Sequence, residues 1–434
     1  MFFGKKPIDA GFVLELGIVT ICIVLGLRIS VLNLAALGLC AWMILIDRDL
    51  DHIFDLVFYL TPLSPIFKLS LKGFALFNFI TLMVLARMLM ANGFAFSLAG
   101  TSSFVMILYI LAGIRNADIP SCVRFICQIL IGSMVMANPQ FRNSLSVKRK
   151  NSMMATGIVV SSVVALLRGF FPKLDLYLAA SQATIKLGPG SYYYRFMGIE
   201  TNSNMYTVLL SISIAVFAIY MIKGRMNKLD FALLALLILF GCMTVSMSFI
   251  LSTIMIAGLA IYFMSRRDPR IMIYSVVAGI FAGALFLGLF GESEAVQTIL
   301  FRFQSNSSES ADLSSITTGR SDIWQLYLGY FLEHPFVTLI GKGLNAKLPF
   351  RAPHNYYIET IYYLGVIGGI LYIATLAQIY GPSRYTSRKC EIYQHLPLAM
   401  LLIRGMARCL ICEEKMLCIF LIYSLTAIDS SNPE

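Results

Sequence analysis

Long apolar runs separated by short polar segments dominate the pattern of this chain. The runs fall at 9–27, 29–46, 53–70, 74–91, 103–114, 121–137, 154–172, 204–223, 230–246, 248–264, 271–290, 355–379, 394–410 and 416–428. A helix needs about 20 apolar residues to cross a bilayer core, so the pattern predicts an all-α, polytopic transmembrane protein, residues 1–434 forming one membrane domain of about 12 to 14 spans. Three runs (53–70, 103–114 and 416–428) are short or broken by proline, which leaves re-entrant or interfacial placements open for them.

Two longer polar stretches, 173–203 and 291–354, interrupt this pattern. In the second, apolar residues from Ile323 to Phe331 recur at helical spacing, which predicts an amphipathic surface helix with Arg320 near its start and His334-Pro335 near its end. Gly341-Lys342-Gly343 lacks the preceding strand and the following Ser or Thr of a phosphate loop, so it predicts a tight turn.

Composition agrees with a membrane protein. Hydrophobic residues make up 58% of the chain and charged residues 13%, and the mean hydropathy is +0.78, which excludes a soluble domain. The net charge of +11 does not indicate a nucleic-acid partner, because the cations gather in short loops between apolar runs instead of forming a basic stripe. The first apolar run lacks a small-residue cleavage site, so it is expected to stay as a helix.

The basic loops also predict orientation. The clusters lie at Lys5-Lys6, Arg142 with 148–150, 223–228, 266–270 and 384–389. These clusters fall in alternate loops if the N-terminus is inside, which places 173–203 and 291–354 together on the outer face.

The nine cysteines predict neither a disulfide framework nor a cofactor site. None of them lies in the two long polar stretches. Cys409 and Cys412 form one C-x-x-C, but no second pair or nearby histidine accompanies it, so small apolar residues at a helix end are the favoured interpretation.

Two groups of motifs carry a resemblance to a known family. One is Gly319-Arg320, Trp324, His334-Pro335, Gly341-x-Gly343, His354-Asn355-Tyr356 and Gly365, Gly368 and Gly369; the other is Arg195-x-x-Gly198 followed by Asn202 and Asn204. In this order they resemble the outer loops of the bacterial O-antigen polymerase and O-antigen ligase superfamily. One position departs from that pattern: many members carry an arginine after the serine at Ser246, where this chain has Met247.

The resemblance implies glycosyl transfer from an undecaprenyl-diphosphate-linked oligosaccharide on the outer face of the bacterial cytoplasmic membrane. It implies His354 as the base for the acceptor hydroxyl and Arg195 and Arg320 as cations for the diphosphate. Arg351, Asn355 and Asn204 are further expected substrate contacts. No carboxylate nucleophile or metal cluster is apparent, so a metal-independent, inverting transfer without cofactors is expected.

Alternatives remain at this point. A repeat-unit polymerase of O-antigen, capsule or exopolysaccharide, working with a chain-length regulator, is favoured over an O-antigen ligase that transfers glycan to lipid A-core. A lipid-linked oligosaccharide flippase is a further alternative, and a structural scaffold is the fourth. The roles of Arg87 and Arg124 are open: they could hold the diphosphate, compensating for Met247, or pair with acids such as Glu15 and Asp55.

Overall fold

The chain is almost entirely helical in the computed structural model. Residues 10–70, 76–92, 100–181, 184–188, 191–200, 202–293, 296–298, 300, 320–381, 391–406, 411, 413 and 415–428 are described. The α-helices are α1 Ala10–Gly26, α2 Val31–Trp42, α3 Leu50–Leu60, α4 Ser64–Ser70, α5 Leu76–Asn92, α6 Gly100–Ala112, α7 Ile119–Ala137, α8 Pro139–Ser144, α9 Val147–Leu166, α10 Pro172–Ser181, α11 Ser203–Ile222, α12 Lys228–Met243, α13 Met247–Ser265, α14 Arg270–Phe290, α15 Arg320–Glu333, α16 Pro335–Ile340, α17 Tyr356–Tyr380, α18 Leu396–Gly405 and α19 Met416–Ile428. The predicted all-α class is confirmed.

Four helices, α7, α11, α13 and α17, are long and apolar enough to cross a membrane. Shorter apolar helices accompany them, including α1, α5, α6 and α19. Many large apolar side chains on these helices are exposed, such as Leu14 and Ile254, as expected where lipid replaces water. The protein is therefore a multi-pass membrane protein.

Two of the expected runs are divided or short. The run 53–70 forms α3 and α4, which are joined by a 3-10 turn at Thr61–Leu63 because Pro62 lacks a backbone donor. The run 394–410 gives only the ten residues of α18, and 407–410 lie outside the described residues.

Helices α9 and α11 connect two opposite ends of the molecule. Each has 20 residues and so measures about 30 Å, close to the thickness of a bilayer core. At one end of the molecule, here called the basic end, Lys148 donates to the carbonyl of Arg225 and Arg267 donates to that of Ile222. Three of the loops expected on the inside, around Lys148, Arg225 and Arg267, thus meet at one end, whereas the clusters at Lys5-Lys6 and 384–389 lie outside the described residues.

A buried ionic network ties α3 to α9 at the basic end. The ammonium of Lys150 lies 2.7 Å from Asp55 and 2.6 Å from Asp51, and Arg149 lies 2.6 Å from Asp55. Lys150 and Asp55 are fully buried, which requires such pairing. Glu15 pairs with Arg48 at 2.7 Å. The described partners of Glu15 and Asp55 are thus Arg48, Arg149 and Lys150, and the suggested pairing of Arg87 and Arg124 with such acids stays a prediction.

The two polar stretches have secondary structure of their own. The first contains α10 and an antiparallel hairpin of β1, Thr184–Gly188, and β2, Ser191–Tyr194. The second contains α15 and α16 at the predicted place, although the apolar residues of α15 occupy more than one face. Tyr327 and Phe331 are buried there, whereas Leu328 and Leu332 are exposed. The serine-rich segment 301–319 lies outside the described residues.

The helix α17 is broken at Gly365, whose φ of 68° and ψ of 179° suit glycine alone. The break frees the carbonyls of Tyr362 and Tyr363, which accept hydrogen bonds from the backbone of Lys342 (2.8 Å) and Gly343 (3.0 Å). The predicted turn at Gly341 and Gly343 is confirmed, and it holds α16 against the broken helix.

The cysteines in the described ranges, Cys22, Cys40, Cys122, Cys127, Cys242 and Cys418, are free thiols. Cys390, Cys409 and Cys412 lie outside these ranges, so the interpretation of the C-x-x-C is unchanged.

Candidate functional site

Arg195 lies at the end of the molecule opposite the basic end, beside the C-terminus of α9. Its Nε donates to the carbonyl of Thr244, 3.0 Å away, in the turn between α12 and α13. With Tyr193, Tyr194 and Arg168 it lines an open cavity of about 270 Å³. An arginine, aromatic rings and a cavity of this size could accommodate a sugar or a phosphate.

The segment after Arg195 is fixed on two sides. Gly198 has a φ of 57°, and a Cβ there would lie 2.8 Å from the ring of Tyr206, so this glycine accommodates Tyr206. Glu200 forms a buried ion pair with Lys415, just before α19. These contacts hold the chain where it enters α11.

The predicted residue Asn204 lies in the first turn of α11. Its backbone amide donates to the side-chain oxygen of Asn202, 2.8 Å away, so Asn202 caps the helix. Asn204 is half-buried, and its backbone carbonyl accepts a hydrogen bond from Arg404. The structure therefore gives Asn204 a backbone contact within the site.

Arg320 begins α15 and lies one helical turn before Trp324. Burial lowers the pKa of the Arg320 guanidinium from its ordinary value, but arginine stays charged at neutral pH. The indole of Trp324 donates to the carbonyl of Pro353, 2.9 Å away. Since residues four apart share a helix face, Arg320 lies beside the segment that leads into His354.

A second contact holds the same two segments together. The hydroxyl of Tyr327 reaches the carbonyl of Arg351 at 3.4 Å. Burial, and then the negative charge of Glu359, raises the pKa of Tyr327, which therefore stays protonated as a donor. Glu359 lies in the first turn of α17, so α15 packs on the start of that helix.

His354 itself is in an uncommon conformation. Its φ is 49°, in the left-handed region that few non-glycine residues adopt. The next residue, Asn355, caps α17, because its side-chain oxygen accepts from the amides of Tyr357 (3.0 Å) and Ile358 (3.2 Å). That leaves only the amide nitrogen of Asn355 for the expected substrate contact.

The buried Val245, beside Thr244, has a φ of 48°, similar to that of His354. Such outliers cluster at functional sites.

Arg404, at the end of α18, is a candidate site residue that the sequence motifs did not indicate. It is 1% exposed, and its guanidinium donates to the hydroxyl of Ser248 at 2.6 Å, to the carbonyl of Asn204 at 3.2 Å and to the hydroxyl of Thr207. Arg195 and Arg320 both lie within electrostatic range of it. An arginine inside an apolar run is costly in lipid, and that signal was available in the sequence.

The end of α18 also touches the start of α17. A Cβ added to Gly405 would lie 3.3 Å from that of Tyr356, two residues beyond His354, and the hydroxyl of Tyr357 donates to the carbonyl of Leu402 at 3.0 Å. The segment that follows His354 therefore packs on the end of α18 that carries Arg404. Arg351 differs, because it is exposed and the contact described for it uses its backbone carbonyl.

The fold and this cluster define a multi-pass membrane protein that gathers cations at one end of its helices. Residues 231–373 match the family model described as O-antigen ligase. The expected resemblance to the O-antigen polymerase and ligase superfamily is thereby confirmed over these residues. The comparison with curated proteins gave no match.

The matched region contains Arg320, Arg351, His354 and Asn355. Arg195 and Asn204 precede it, and Arg404 follows it. The cluster is therefore assembled from the matched region together with helices on both sides.

Proposed function

We propose that this protein is a glycosyltransferase that polymerises lipid-linked oligosaccharide repeat units on the outer face of the bacterial cytoplasmic membrane. The observation that supports this proposal is that α15 is hydrogen-bonded to the segment before His354, while the start of α17 packs on the end of α18, where Arg404 lies within electrostatic range of Arg195 and Arg320. The donor is an oligosaccharide on undecaprenyl diphosphate, and the acceptor is a hydroxyl of a second repeat unit.

The reaction is a direct displacement. The acceptor oxygen attacks the anomeric carbon, its proton passes to a ring nitrogen of His354, and the bond from that carbon to the diphosphate oxygen breaks. One new glycosidic bond forms with inversion, and undecaprenyl diphosphate leaves. Arg195 and Arg320 stabilise the negative charge that grows on the leaving group. No metal takes part in this scheme, so a chelator should leave the rate unchanged.

The orientation is supported by charge. The site lies about one bilayer thickness from the basic end, along α9 and α11. By the positive-inside rule the basic end faces the cytoplasm, which directs the site outward.

The test uses purified protein in vesicles with a synthetic undecaprenyl-diphosphate-linked repeat unit as the only glycan. A ladder of longer lipid-linked products is expected. No lengthening at all would refute the polymerase, and transfer only after addition of lipid A-core would identify a ligase. Relocation of the donor between leaflets without lengthening would identify a flippase.

His354→Asn tests the base while keeping the backbone conformation, because asparagine tolerates a positive φ. It should abolish the ladder and leave the protein at normal level in the membrane. His334→Ala is the matched control, since that exposed ring lies against Tyr330 between α15 and α16. Full-length product from His354→Asn would show that the base is another group.

The ligase is retained as a second candidate because the matching family model is described as O-antigen ligase. Deletion of the gene separates the two in the cell. Loss of a polymerase leaves single repeat units attached to core, whereas loss of a ligase leaves long chains on the lipid carrier.

A further inference from the structure

Arg404 holds a buried charge that its described contacts do not cancel. The acceptors of its two terminal nitrogens are two hydroxyls and a backbone carbonyl, all of them neutral. Its Nε is buried and has no hydrogen-bond acceptor in the described part of the chain. A cation held in this way is costly unless an opposite charge arrives.

The charges near Arg404 increase that cost. Arg195 and Arg320, the cations that lie within electrostatic range, come from the segment before α11 and from α15. The guanidinium of Arg404, which is shielded from water, is thus repelled by two others that are only half-buried. Such an arrangement is stabilised by a ligand with more than one negative charge, as a diphosphate has.

The placement of Arg404 also bears on Met247. Ser248, which accepts the 2.6 Å hydrogen bond from Arg404, is the residue next to Met247 at the start of α13. The helix α18 therefore brings a guanidinium to the start of α13, one residue from Met247.

We propose that Arg404 is a third cation of the diphosphate site, and that it supplies from α18 the positive charge that Met247 does not supply from α13. This inference rests on the proposed function for the identity of the anion. Arg404 acts as a positioning and charge-supplying residue: it fixes the carbonyl of Asn204 and the hydroxyl of Ser248, and its field favours the double charge of the leaving group over a single one.

A purely structural role is the competing explanation. In that case Arg404 would link α11, α13 and α18 through the geometry of its hydrogen bonds and so contribute to stability. Its charge would not matter for ligand binding. Lysine keeps the charge but loses the planar fork, whereas methionine keeps much of the length and loses the charge. The two substitutions therefore separate the explanations.

The experiment measures the affinity of purified protein in nanodiscs for undecaprenyl diphosphate and for undecaprenyl monophosphate. Arg404→Met should weaken binding of the diphosphate about tenfold and bring its affinity close to that of the monophosphate. Arg404→Lys should stay within about threefold of the unchanged protein. Arg225→Met removes an exposed cation at the basic end and should leave both affinities unchanged.

A double variant keeps the test decisive if Arg404→Met misfolds. Arg404→Met with Met247→Arg restores one positive charge beside Ser248 and should recover the preference for the diphosphate. If Arg404→Met does not fold, the proposal is tested with Arg404→Lys and the double variant. A retained preference for the diphosphate over the monophosphate supports the proposal, and loss of that preference in folded protein overturns it. Equal losses of diphosphate affinity in Arg404→Lys and Arg404→Met would show that the residue has only a structural role.

Failure of this inference can be distinguished from failure of the proposed function. If the unchanged protein lengthens glycans but Arg404→Met binds the diphosphate normally, only the role of Arg404 is refuted. If the unchanged protein neither lengthens glycans nor distinguishes the diphosphate from the monophosphate, the proposed function fails as well.

Discussion

Trp324 and Pro353 are joined by a hydrogen bond of 2.9 Å from the indole nitrogen to the backbone carbonyl. This bond fixes the residue that immediately precedes His354 to the same helix that begins with Arg320. The proposed base and one of the proposed cations, from two different segments, thereby share one support, as the proposed displacement requires.

The substitution Trp324→Phe should therefore lower turnover more than stability. The ring remains to fill its place, but the lost hydrogen bond, worth about 1 kcal/mol, frees the His354 segment. We expect kcat for glycan lengthening to fall about tenfold with a nearly unchanged melting temperature. Tyr327→Phe is the control, because it removes a weaker contact of 3.4 Å from the same helix. Equal kcat values for the two variants would contradict this explanation.

Arg320 and Arg351 come from one polar stretch but differ in surroundings, so their substitution should differ in effect. Arg320 is half-buried and near Arg404, whereas Arg351 is exposed. Arg320→Met should lower kcat/KM for the lipid-linked donor about a hundredfold, and Arg351→Met by no more than about threefold. Comparable losses would mean that Arg351 turns into the site when the donor binds.

Gly365→Ala should separate α16 from α17. A Cβ at this position would lie 2.5 Å from the amide nitrogen of Gly341, and the backbone conformation suits glycine alone. The expected loss is about 1–3 kcal/mol of stability, visible as a lower melting temperature in detergent. Gly369→Ala, one turn further along, meets nothing nearer than the methyl group of Thr360 at 3.7 Å and should change little. An equal fall in melting temperature in both variants would mean that α17 is sensitive to any substitution of its glycines.

The ionic network at the basic end should contribute to stability. Lys150→Met leaves the fully buried Asp55 with one cationic partner fewer, a loss of about 3–5 kcal/mol. Thermal unfolding of the purified protein checks this, with Lys228→Met as a control at an exposed site of the same end. An unchanged melting temperature in Lys150→Met would show that Arg149 alone satisfies both acids.

Much of the fold could be predicted from apolar length. Within a bilayer the backbone must satisfy its own hydrogen bonds, so a run such as 204–223 has little choice but to form the helix α11. The start of α15 at Arg320 also followed from the spacing of apolar residues. The break at Gly365 did not follow, because one glycine in an apolar run is compatible with an unbroken helix.

The site could be predicted only in part. Arg195, Arg320 and His354 stood out as polar residues in motifs at the ends of apolar runs. Arg404 carried one signal, an arginine inside an apolar run, but its contacts with Ser248 and Thr207, each more than 150 positions away, could not be predicted from the chain. Such long-range contacts leave no trace in local periodicity.

The origin of Arg404 in α18 has a consequence for building hybrid proteins. Suppose that residues 231–373 were exchanged for the equivalent stretch of a relative with arginine at the position of Met247. Two guanidinium groups would then lie at the start of α13, one from each helix, with no carboxylate among the described contacts of Arg404 to separate them. A functional hybrid would have to lose Arg404 in the same step, so the two positions are expected to change together in evolution.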